Sequence, residues 1–147
     1  KKKISIAIWS CARLTSERCP KKMIKNFCDT SLTDIFLKKM QKLQKLGINV
    51  FFGGYDKIFE TKCKKYGIPF VQRTKKSSNS ETASEIYDFL IDQNFDYLLQ
   101  VNACMPLLKV ETILDFLNEC KKNKKPAFGV YEISNYFMSN TNKPFNS

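Results

Sequence analysis

Apolar and polar positions along this chain fall into blocks that predict five short strands and four helices. The strands are apolar runs without polar alternation, as expected when both faces of a sheet are covered. They span residues 4–9, 48–52, 69–72, 97–101 and 126–133. Between them, apolar residues recur every three to four positions, which predicts amphipathic helices. Strands that alternate with helices indicate a parallel sheet. We therefore expect an α/β fold, a three-layer α/β/α sandwich around a mostly parallel, Rossmann-like sheet.

Capping residues and glycines set the predicted limits of the helices. The helices run from Thr30 or Ser31 to Gly47, from Asp56 to Gly67, from a cap at Ser80 to about residue 91, and over about residues 109–122. The polar stretch 74–80 is rich in lysine and serine, and it predicts a mobile loop after the third strand. The pair Gly53-Gly54 predicts an unusual turn of the backbone after the second strand.

The length of 147 residues suffices for one domain with a substantial core. The pattern contains no internal repeat, linker or low-complexity segment, so we expect a single domain over residues 1–147. The formal charge of +11 favours an anionic partner. Much of this charge is lysine scattered over predicted helix surfaces, which makes a nucleic-acid-binding domain the less favoured interpretation.

The cysteines and the lack of histidine exclude several classes of site. Six cysteines form no C-x-x-C pair, and the chain contains no histidine. A histidine-dependent triad, a Cys/His catalytic pair and a Cys/His zinc site are therefore excluded. A disulfide framework is not expected in a chain with this much core. No apolar stretch approaches the length of a membrane span. These features predict reduced cysteines and a cytoplasmic location away from membranes.

The segment after the first strand concentrates positive charge. Residues 1–25 hold eight basic groups and a single acid, Glu17, which gives a net charge of +7. Arginine grips phosphate oxygens with two donors, and lysine supplies a point charge. In open α/β sheets, ligands lie outside the carboxyl ends of the strands. The segment therefore predicts a polyphosphate site, and the alternative is a solvated basic loop on an ordinary α/β domain.

The spacing of this segment resembles a known family. Residues 12–22 follow the pattern A-R-x-x-S-x-R-x-P-x-K. This pattern resembles the signature loop of the acylneuraminate cytidylyltransferases (CMP-sialic acid synthetases) and of related sugar-acid cytidylyltransferases, including those that make CMP-deoxyoctulosonate. Residues 66–73 and 98–108 resemble the family's third strand and the exit of its fourth strand. Residues 135–137 and 143–146 resemble the segment after its fifth strand. The resemblance implies a fold of the nucleotide-diphospho-sugar transferase type.

The resemblance also implies an activity and a set of site residues. The activity is that of a cytidylyltransferase that activates an acidic sugar of the sialic-acid type with CTP, giving a CMP-sugar and pyrophosphate. The implied residues are Arg13 and Lys22 for catalysis, Arg13, Ser16, Arg18, Lys22 and Arg73 for nucleotide binding, and Asn102 for sugar binding. Mg²⁺ bridging the phosphates is the implied cofactor, and a homodimer is the implied assembly.

Some positions depart from the family pattern. The deoxyoctulosonate branch carries a metal-binding aspartate at the exit of the fourth strand, where this chain has Cys104. A thiol is a poor ligand for magnesium, and the sialate branch takes its metal carboxylates from a later segment. Family members are longer, so the chain is expected to lack their C-terminal segment. Lys21 stands where many relatives have glycine or a different small or basic residue.

Other interpretations stay open for the chain and for single residues. The chain could be a non-catalytic module that binds a nucleotide or phosphosugar. Asn102 could tie down a turn, because asparagine readily bonds to nearby backbone. Arg73 could be an ordinary surface residue. Cys104 could be a small buried residue, as free cysteines often are.

Overall fold

A computed structural model describes residues 4–123 and 125–130 of the chain. In this part of the chain, four strands form one parallel sheet: β1 (Ile6–Ala12), β2 (Asn49–Gly54), β3 (Phe70–Gln72) and β4 (Tyr97–Gln100). The helices are α1 (Leu32–Lys45), α2 (Lys57–Tyr66), α3 (Lys75–Asn79), α4 (Ala83–Ile86) and α5 (Val110–Asn123), with a 3₁₀ turn at Asp88–Leu90. The order of the strands is β3-β2-β1-β4.

The register of the sheet brings the carboxyl ends of all four strands to one edge. Ala12 lies opposite Gly54, and Gly54 lies opposite Gln72. On the other side of β1, Trp9 lies opposite Gln100. Strand β1 ends at Ala12 and not at residue 9 as predicted, because its pairing with β2 continues to Gly54. The loops that follow the four strands therefore begin at the same edge.

One face of the sheet packs against α1 and α2. Phe52 lies between two other aromatic rings, with centroid distances of 5.9 Å to Phe36 of α1 and 5.9 Å to Phe59 of α2. Ile8 of β1 points to this same buried side and is fully enclosed. Burial of such large side chains stabilises the layer by about 1.5–3 kcal/mol each.

The opposite face packs against the segment between β3 and β4. Trp9 stacks on Phe51 at 6.4 Å and meets the edge of Phe89 at 5.5 Å. Phe95 also stacks on Phe51, at 6.3 Å. Helical segments thus cover both faces of a parallel sheet, and the predicted three-layer α/β/α fold is confirmed.

The predicted ends of α1 and α2 are confirmed by their caps. Ser31 is the N-cap of α1, and its Oγ accepts a hydrogen bond from the Asp34 backbone N–H at 3.2 Å. Gly47 follows α1 with φ of 77°, and Gly67 ends α2 with φ of 66°. These left-handed conformations strongly favour glycine.

The predicted turn at Gly53-Gly54 is wrong, because both residues belong to β2. Their lack of a side chain serves close packing instead. A Cβ on Gly53 would lie 2.6 Å from Cε2 of Phe89, and a Cβ on Gly54 would lie 3.1 Å from Cε2 of Phe70. The two glycines therefore let aromatic rings approach the strand on both faces.

The segment after β3 also differs from the prediction. The predicted mobile loop, residues 74–80, contains helix α3, with Thr74 as its N-cap and Ser80 as its C-cap, and with Ser77 and Ser78 buried. The helix predicted from Ser80 is replaced by short α4 and the 3₁₀ turn, and Ile91, expected inside, is 83% exposed. The Ser80 side chain accepts from the Thr82 N–H at 3.0 Å, which delays the start of the helix.

Residues 126–130 do not form the predicted fifth strand, and Phe128 is 84% exposed. The rest of that predicted strand, 131–133, and the family-like tail segments 135–137 and 143–146 lie outside the described residues. The chain divides into two compact units, Lys1–Asp115 and Phe116–Ser147, so a single domain over residues 1–147 stays a prediction. No described helix has the length and apolar character needed to cross a membrane.

Candidate functional site

The loop that follows β1, residues 13–25, is here called the basic loop. Its start is held at the carboxyl edge of the sheet by the Leu14 N–H, which lies 3.4 Å from Oδ2 of Asp56 at the start of α2. The Leu14 carbonyl accepts from the Lys21 N–H at 3.0 Å, so the loop folds back on itself. Thr15 Oγ1 donates to Asn79 Oδ1 of α3 at 2.6 Å. The basic loop is thus tied to the exits of both β2 and β3.

Lys21 makes a turn that is unusual for a side chain of its kind. Its φ is 57°, in the left-handed region where the Cβ crowds the backbone. The Lys21 carbonyl then accepts from the N–H groups of Ile24 and Lys25, both at 3.0 Å. The backbone here has the conformation that glycine adopts freely. Glycine, which many relatives carry at this position, would fit the same backbone.

The end of the basic loop is anchored by Met23, which is 2% exposed. Its carbonyl accepts two hydrogen bonds from Thr33 in the first turn of α1, from N at 3.1 Å and from Oγ1 at 2.6 Å. Because Thr33 is itself fully buried, this anchor is shielded from competing water.

Three of the predicted phosphate-binding side chains have no counter-charge among the described residues. Within residues 4–123 and 125–130, no ion pair or side-chain hydrogen bond engages Arg13, Arg18 or Lys22. Arg13 and Lys22 are half-buried, as is Ser16, whereas Arg18 is exposed. Unpaired cations that are partly removed from water favour the binding of an anion.

Arg73 lies directly after β3, and the interpretation of it as a surface residue is wrong, because it is only 4% exposed. Its Nη2 donates to the carbonyls of Ser77 at 2.6 Å and of Ile86 at 3.1 Å, and its Nε donates to Ser77 Oγ at 3.2 Å. The guanidinium therefore holds α3 against the end of α4. Its predicted contact with the nucleotide stays a prediction.

A thiol lies near both arginines of the sheet edge. Burial raises the pKa of Cys11 in β1 above its usual value, and the charges of Arg73 and Arg13 oppose this shift without cancelling it. The Cys11 thiol therefore stays neutral near pH 7 and supplies no negative charge to the two guanidinium groups. All six cysteines of the chain are free.

The exit of β4 forms a tight turn around Asn102. Asn102 Oδ1 accepts from the Cys104 N–H at 2.8 Å, and its carbonyl accepts from the Met105 N–H at 3.3 Å. The structural role for Asn102 is thus confirmed, and its proposed contact with a sugar stays a prediction. Cys104 is half-buried, and its Sγ lies 3.4 Å from Met23 Sδ, which brings this turn next to the basic loop.

Lys39 of α1 also binds this turn, and the sequence did not point to it. Its Nζ donates to the Met105 carbonyl at 3.0 Å and to the Pro106 carbonyl at 2.6 Å. A lysine in an amphipathic helix next to Lys38 has the pattern of a solvated side chain. The sequence carries no signal for this contact, because Lys39 and Met105 are 66 residues apart.

A metal site made of protein side chains is not found in the described part of the chain. No group of three or more His, Cys, Asp or Glu residues is clustered there. The turn after β4, residues 102–106, contains Asn102 and Cys104 but no Asp or Glu. The turn after β4 therefore offers no carboxylate to Mg²⁺, which prefers carboxylate and other oxygen ligands.

Two solved structures share this fold. One is a CMP:2-keto-3-deoxy-manno-octonic acid synthetase complexed with CTP, with a TM-score of 0.65 and 16% sequence identity over 82% of this chain. The other is a cytidylyltransferase from Leptospira borgpetersenii serovar Hardjo-bovis (strain JB197), with a TM-score of 0.62 and 23% identity over 80% of this chain. The chain spans about half the length of each, since the matches cover 48% of both.

The family is identified by sequence. A comparison with curated proteins finds no match. The sequence profile of the family described as Cytidylyltransferase matches residues 11–147, which begin at the end of β1 and include the whole basic loop. This chain therefore belongs to the cytidylyltransferase family.

Proposed function

We propose that the chain carries the CTP-binding part of a cytidylyltransferase that activates an acidic sugar to its CMP derivative. The observation that carries the proposal is the set of unpaired cations in the basic loop, Arg13, Arg18 and Lys22, at the carboxyl edge of the sheet. Family membership supports CTP as the nucleotide. A solved structure of the same fold is a synthetase of CMP:2-keto-3-deoxy-manno-octonic acid complexed with CTP, which supports an acidic sugar as the acceptor.

In the proposed reaction, the oxygen of the sugar's anomeric hydroxyl forms a bond to the α-phosphorus of CTP. The bond from that phosphorus to the bridging oxygen breaks, pyrophosphate leaves with the bonding electrons, and the hydroxyl proton is released. Arg13 and Lys22 bind the triphosphate and stabilise the negative charge that moves onto the leaving group. Ser16 donates its hydroxyl to a phosphate oxygen, and Arg18 adds a further positive charge.

The acceptor would lie on the β4 side of the basic loop. Strand β1 has β2 on one side and β4 on the other, and ligands of open α/β sheets bind where the strand order reverses in this way. Asn102 begins the loop on the β4 side, and its Oδ1 is already bound to Cys104 N. Its Nδ2 is therefore the atom that we propose contacts the sugar.

Two further features of the proposal rest on the family resemblance: the sugar is of the sialic-acid type, and the protein acts as a homodimer. Two others rest on composition: the free cysteines support a cytoplasmic location, and the scattered lysines make nucleic acid the less favoured partner. Mg²⁺ is the proposed ion on the phosphates, but the described residues supply no carboxylate cluster for it.

A module that binds the nucleotide without catalysis is the second candidate. It is favoured by the same lack of clustered carboxylates in residues 4–123 and 125–130. Binding of CTP would be common to both candidates, and product formation separates them.

Thermal unfolding with each nucleoside triphosphate tests the proposal. CTP at about 100 times its Kd stabilises the folded chain by about 2.7 kcal/mol, which raises Tm by several degrees. UTP, ATP and GTP with the same magnesium concentration are the controls, and we expect a selective response to CTP. Equal responses or none would contradict a CTP site.

Release of pyrophosphate then tests catalysis. The chain is incubated with CTP, Mg²⁺ and either N-acetylneuraminic acid or 2-keto-3-deoxy-manno-octonic acid. Pyrophosphate and a CMP-sugar in stoichiometric amounts support the enzyme. Selective CTP binding without either product supports the non-catalytic module.

A further inference from the structure

Helix α1 holds both loops that flank the proposed reaction centre. Its first turn binds the basic loop through Thr33, and its middle binds the turn after β4 through Lys39. We propose that Lys39 is a positioning residue that fixes the acceptor side of the site, residues 102–106, relative to the triphosphate side. This inference rests on the proposed function, and it adds a residue to which neither the sequence pattern nor the family resemblance assigns a role.

The first contact of α1 defines the triphosphate side. The Met23 carbonyl accepts from both N and Oγ1 of Thr33 at 3.1 and 2.6 Å. Because Met23 and Thr33 are both buried, the end of the basic loop has a fixed place on the helix. Lys22, which directly precedes Met23, therefore projects from an anchored position.

The second contact defines the acceptor side. One ammonium group bridges two successive carbonyls, those of Met105 and Pro106, at 3.0 and 2.6 Å. Lys39 is half-buried, and burial lowers its pKa from the usual value, which shows that it is partly removed from water. Hydrogen bonds from a charged donor are about twice as strong as neutral ones. Two of them on adjacent peptide groups fix the orientation of this stretch of backbone.

The start of the turn is held by β1, because the Val101 N–H donates to the Trp9 carbonyl at 2.9 Å and the side chains of Val101 and Ala103 are buried. Lys39 holds the later part of the turn. The turn closes on itself through Asn102 Oδ1 and the Cys104 N–H, a local bond that moves with the turn. Its contact with the basic loop is the Cys104 to Met23 sulfur contact at 3.4 Å, which is weak and not directional. Lys39 supplies the directional bonds from α1, so its loss should let residues 104–106 move, and with them the Asn102 side chain that is bonded to the Cys104 N–H.

Hydrogen exchange tests the positioning directly. Lys39→Met keeps the unbranched stem and removes the donors, and Lys39→Arg restores donors. Lys38→Met is the matched control, because Lys38 is the exposed neighbour on the same helix. We expect amide exchange at Cys104, Met105 and Leu108 to accelerate about tenfold in Lys39→Met, in proportion to the lost charged hydrogen bonds. We expect Lys39→Arg to recover part of this protection and Lys38→Met to match the unmodified chain. Unchanged exchange in Lys39→Met would overturn the inference.

Ligand measurements separate positioning from general loss of structure. In Lys39→Met, the Kd for CTP should stay within about twofold of the original value, because the basic loop keeps its anchor at Thr33. The KM should rise about tenfold for whichever of the two acidic sugars named above the chain turns over. Lys39→Arg should bring this KM back towards the original value. An equal loss of CTP and sugar affinity would overturn the inference. If the unmodified chain does not bind CTP, the proposed function fails, and the exchange experiment still decides whether Lys39 fixes the turn.

Discussion

The guanidinium carbon of Arg73 lies 5.2 Å from the ring centroid of Phe89, beneath the carboxyl edge of the sheet. The charge is enclosed, and its hydrogen-bond partners are the neutral oxygens of Ser77 and Ile86. An aromatic face stabilises such a cation by about 1–2 kcal/mol. Arg73 therefore contributes to the fold whether or not it contacts a nucleotide.

Replacement of Arg73 should destabilise the chain. Arg73→Met removes the Arg73 donor from the Ser77 carbonyl and leaves the Ile86 carbonyl with only the Ser77 hydroxyl at 3.3 Å, so we expect a loss of about 2–4 kcal/mol in the free energy of unfolding, measured by urea denaturation. Arg13→Met is the control, because no described residue pairs with Arg13, and it should change stability by less than about 0.5 kcal/mol. Equal stability of both variants would argue against the clamp.

Removal of a single charge from the basic loop should weaken the binding of CTP. In Arg13→Met and Lys22→Met, we expect the CTP-induced rise in Tm to fall to about half or less at the same CTP concentration, while Tm without ligand stays unchanged. Each arginine or lysine contact with phosphate contributes about 1.5–3 kcal/mol, which corresponds to at least a tenfold weaker Kd. Lys25→Met, in the same loop but exposed, serves as control. A similar loss of affinity in all three variants would favour diffuse attraction of anions over a defined site.

The left-handed residue of the basic loop offers a gain in stability. Lys21 has φ of 57°, and a Cβ in this region is unfavourable by about 1–2 kcal/mol. After the entropy that glycine adds to the unfolded chain is subtracted, Lys21→Gly should stabilise the protein by about 0.5 kcal/mol. Lys25 is the control, because its φ is not positive, and Lys25→Gly should destabilise the protein by a similar amount. Urea denaturation measures both, and the same sign for both variants would contradict the assignment of strain to Lys21.

The glycines of β2 should tolerate no side chain. Gly53→Ala would place its Cβ 2.6 Å from Cε2 and 2.9 Å from Cζ of Phe89, so the ring must shift, with a loss of about 1–3 kcal/mol in stability. Gly129 has no atom within 4 Å of such a Cβ, so Gly129→Ala should be neutral within about 0.5 kcal/mol. The difference between their urea midpoints is the measurement, and equal midpoints would show that the space beside Gly53 is not restricted.

The ion pair between α1 and α2 should make the stability of the folded chain depend on pH. Lys62 Nζ lies 2.6 Å from Asp34 Oδ2. Burial acts to raise the pKa of Asp34, but hydrogen bonds from Lys62 and Ser31 outweigh it, and the pKa is lowered from the usual 3.8. A lowered pKa in the folded state means that the stabilisation is present above pH 3.8 and is lost as pH falls through the folded value.

Asp34→Asn measures this contribution. At pH 7 we expect it to reduce the free energy of unfolding by about 2 kcal/mol, and the difference from the unmodified chain should shrink below pH 3.8. Glu119→Gln breaks an exposed pair with Lys122 and should have an effect below about 0.5 kcal/mol at pH 7. A difference for Asp34→Asn that does not vary with pH would rule out the charge of Asp34 as its cause.

The sequence predicted the layers of the fold and the place of the basic loop because both follow from local patterns. Apolar runs and capping residues give the order of strands and helices, and parallel strands must bring Arg13 and Arg73 to one edge. The sequence did not predict α3, because its serines are buried through contacts with Arg73. It assigned Gly53 to a turn, because the need for space comes from Phe89, which is distant along the chain.

The role of Lys39 was missed for a related reason. Amphipathic patterns separate apolar from polar positions, but they do not distinguish a lysine in water from one that bridges two carbonyls. The partner carbonyls belong to a turn 66 residues away, and backbone carbonyls have no signature in a sequence. Arg18 and Lys22, in contrast, were found because their spacing itself resembles a family pattern.

The central place of β1 in the sheet affects the order in which the protein can fold. Its partner β2 follows within about 50 residues, but the hydrogen bonds between Ser5 and Asp96 beside β4 join positions 91 residues apart. At about 5–20 residues per second, a ribosome needs several seconds to synthesise that interval. During this time, the outer edge of β1 has no strand to pair with and the basic loop lacks its neighbour across the site. The acceptor side of the proposed site should therefore form only after β4 has emerged and docked, late in synthesis, and not when the basic loop itself is complete.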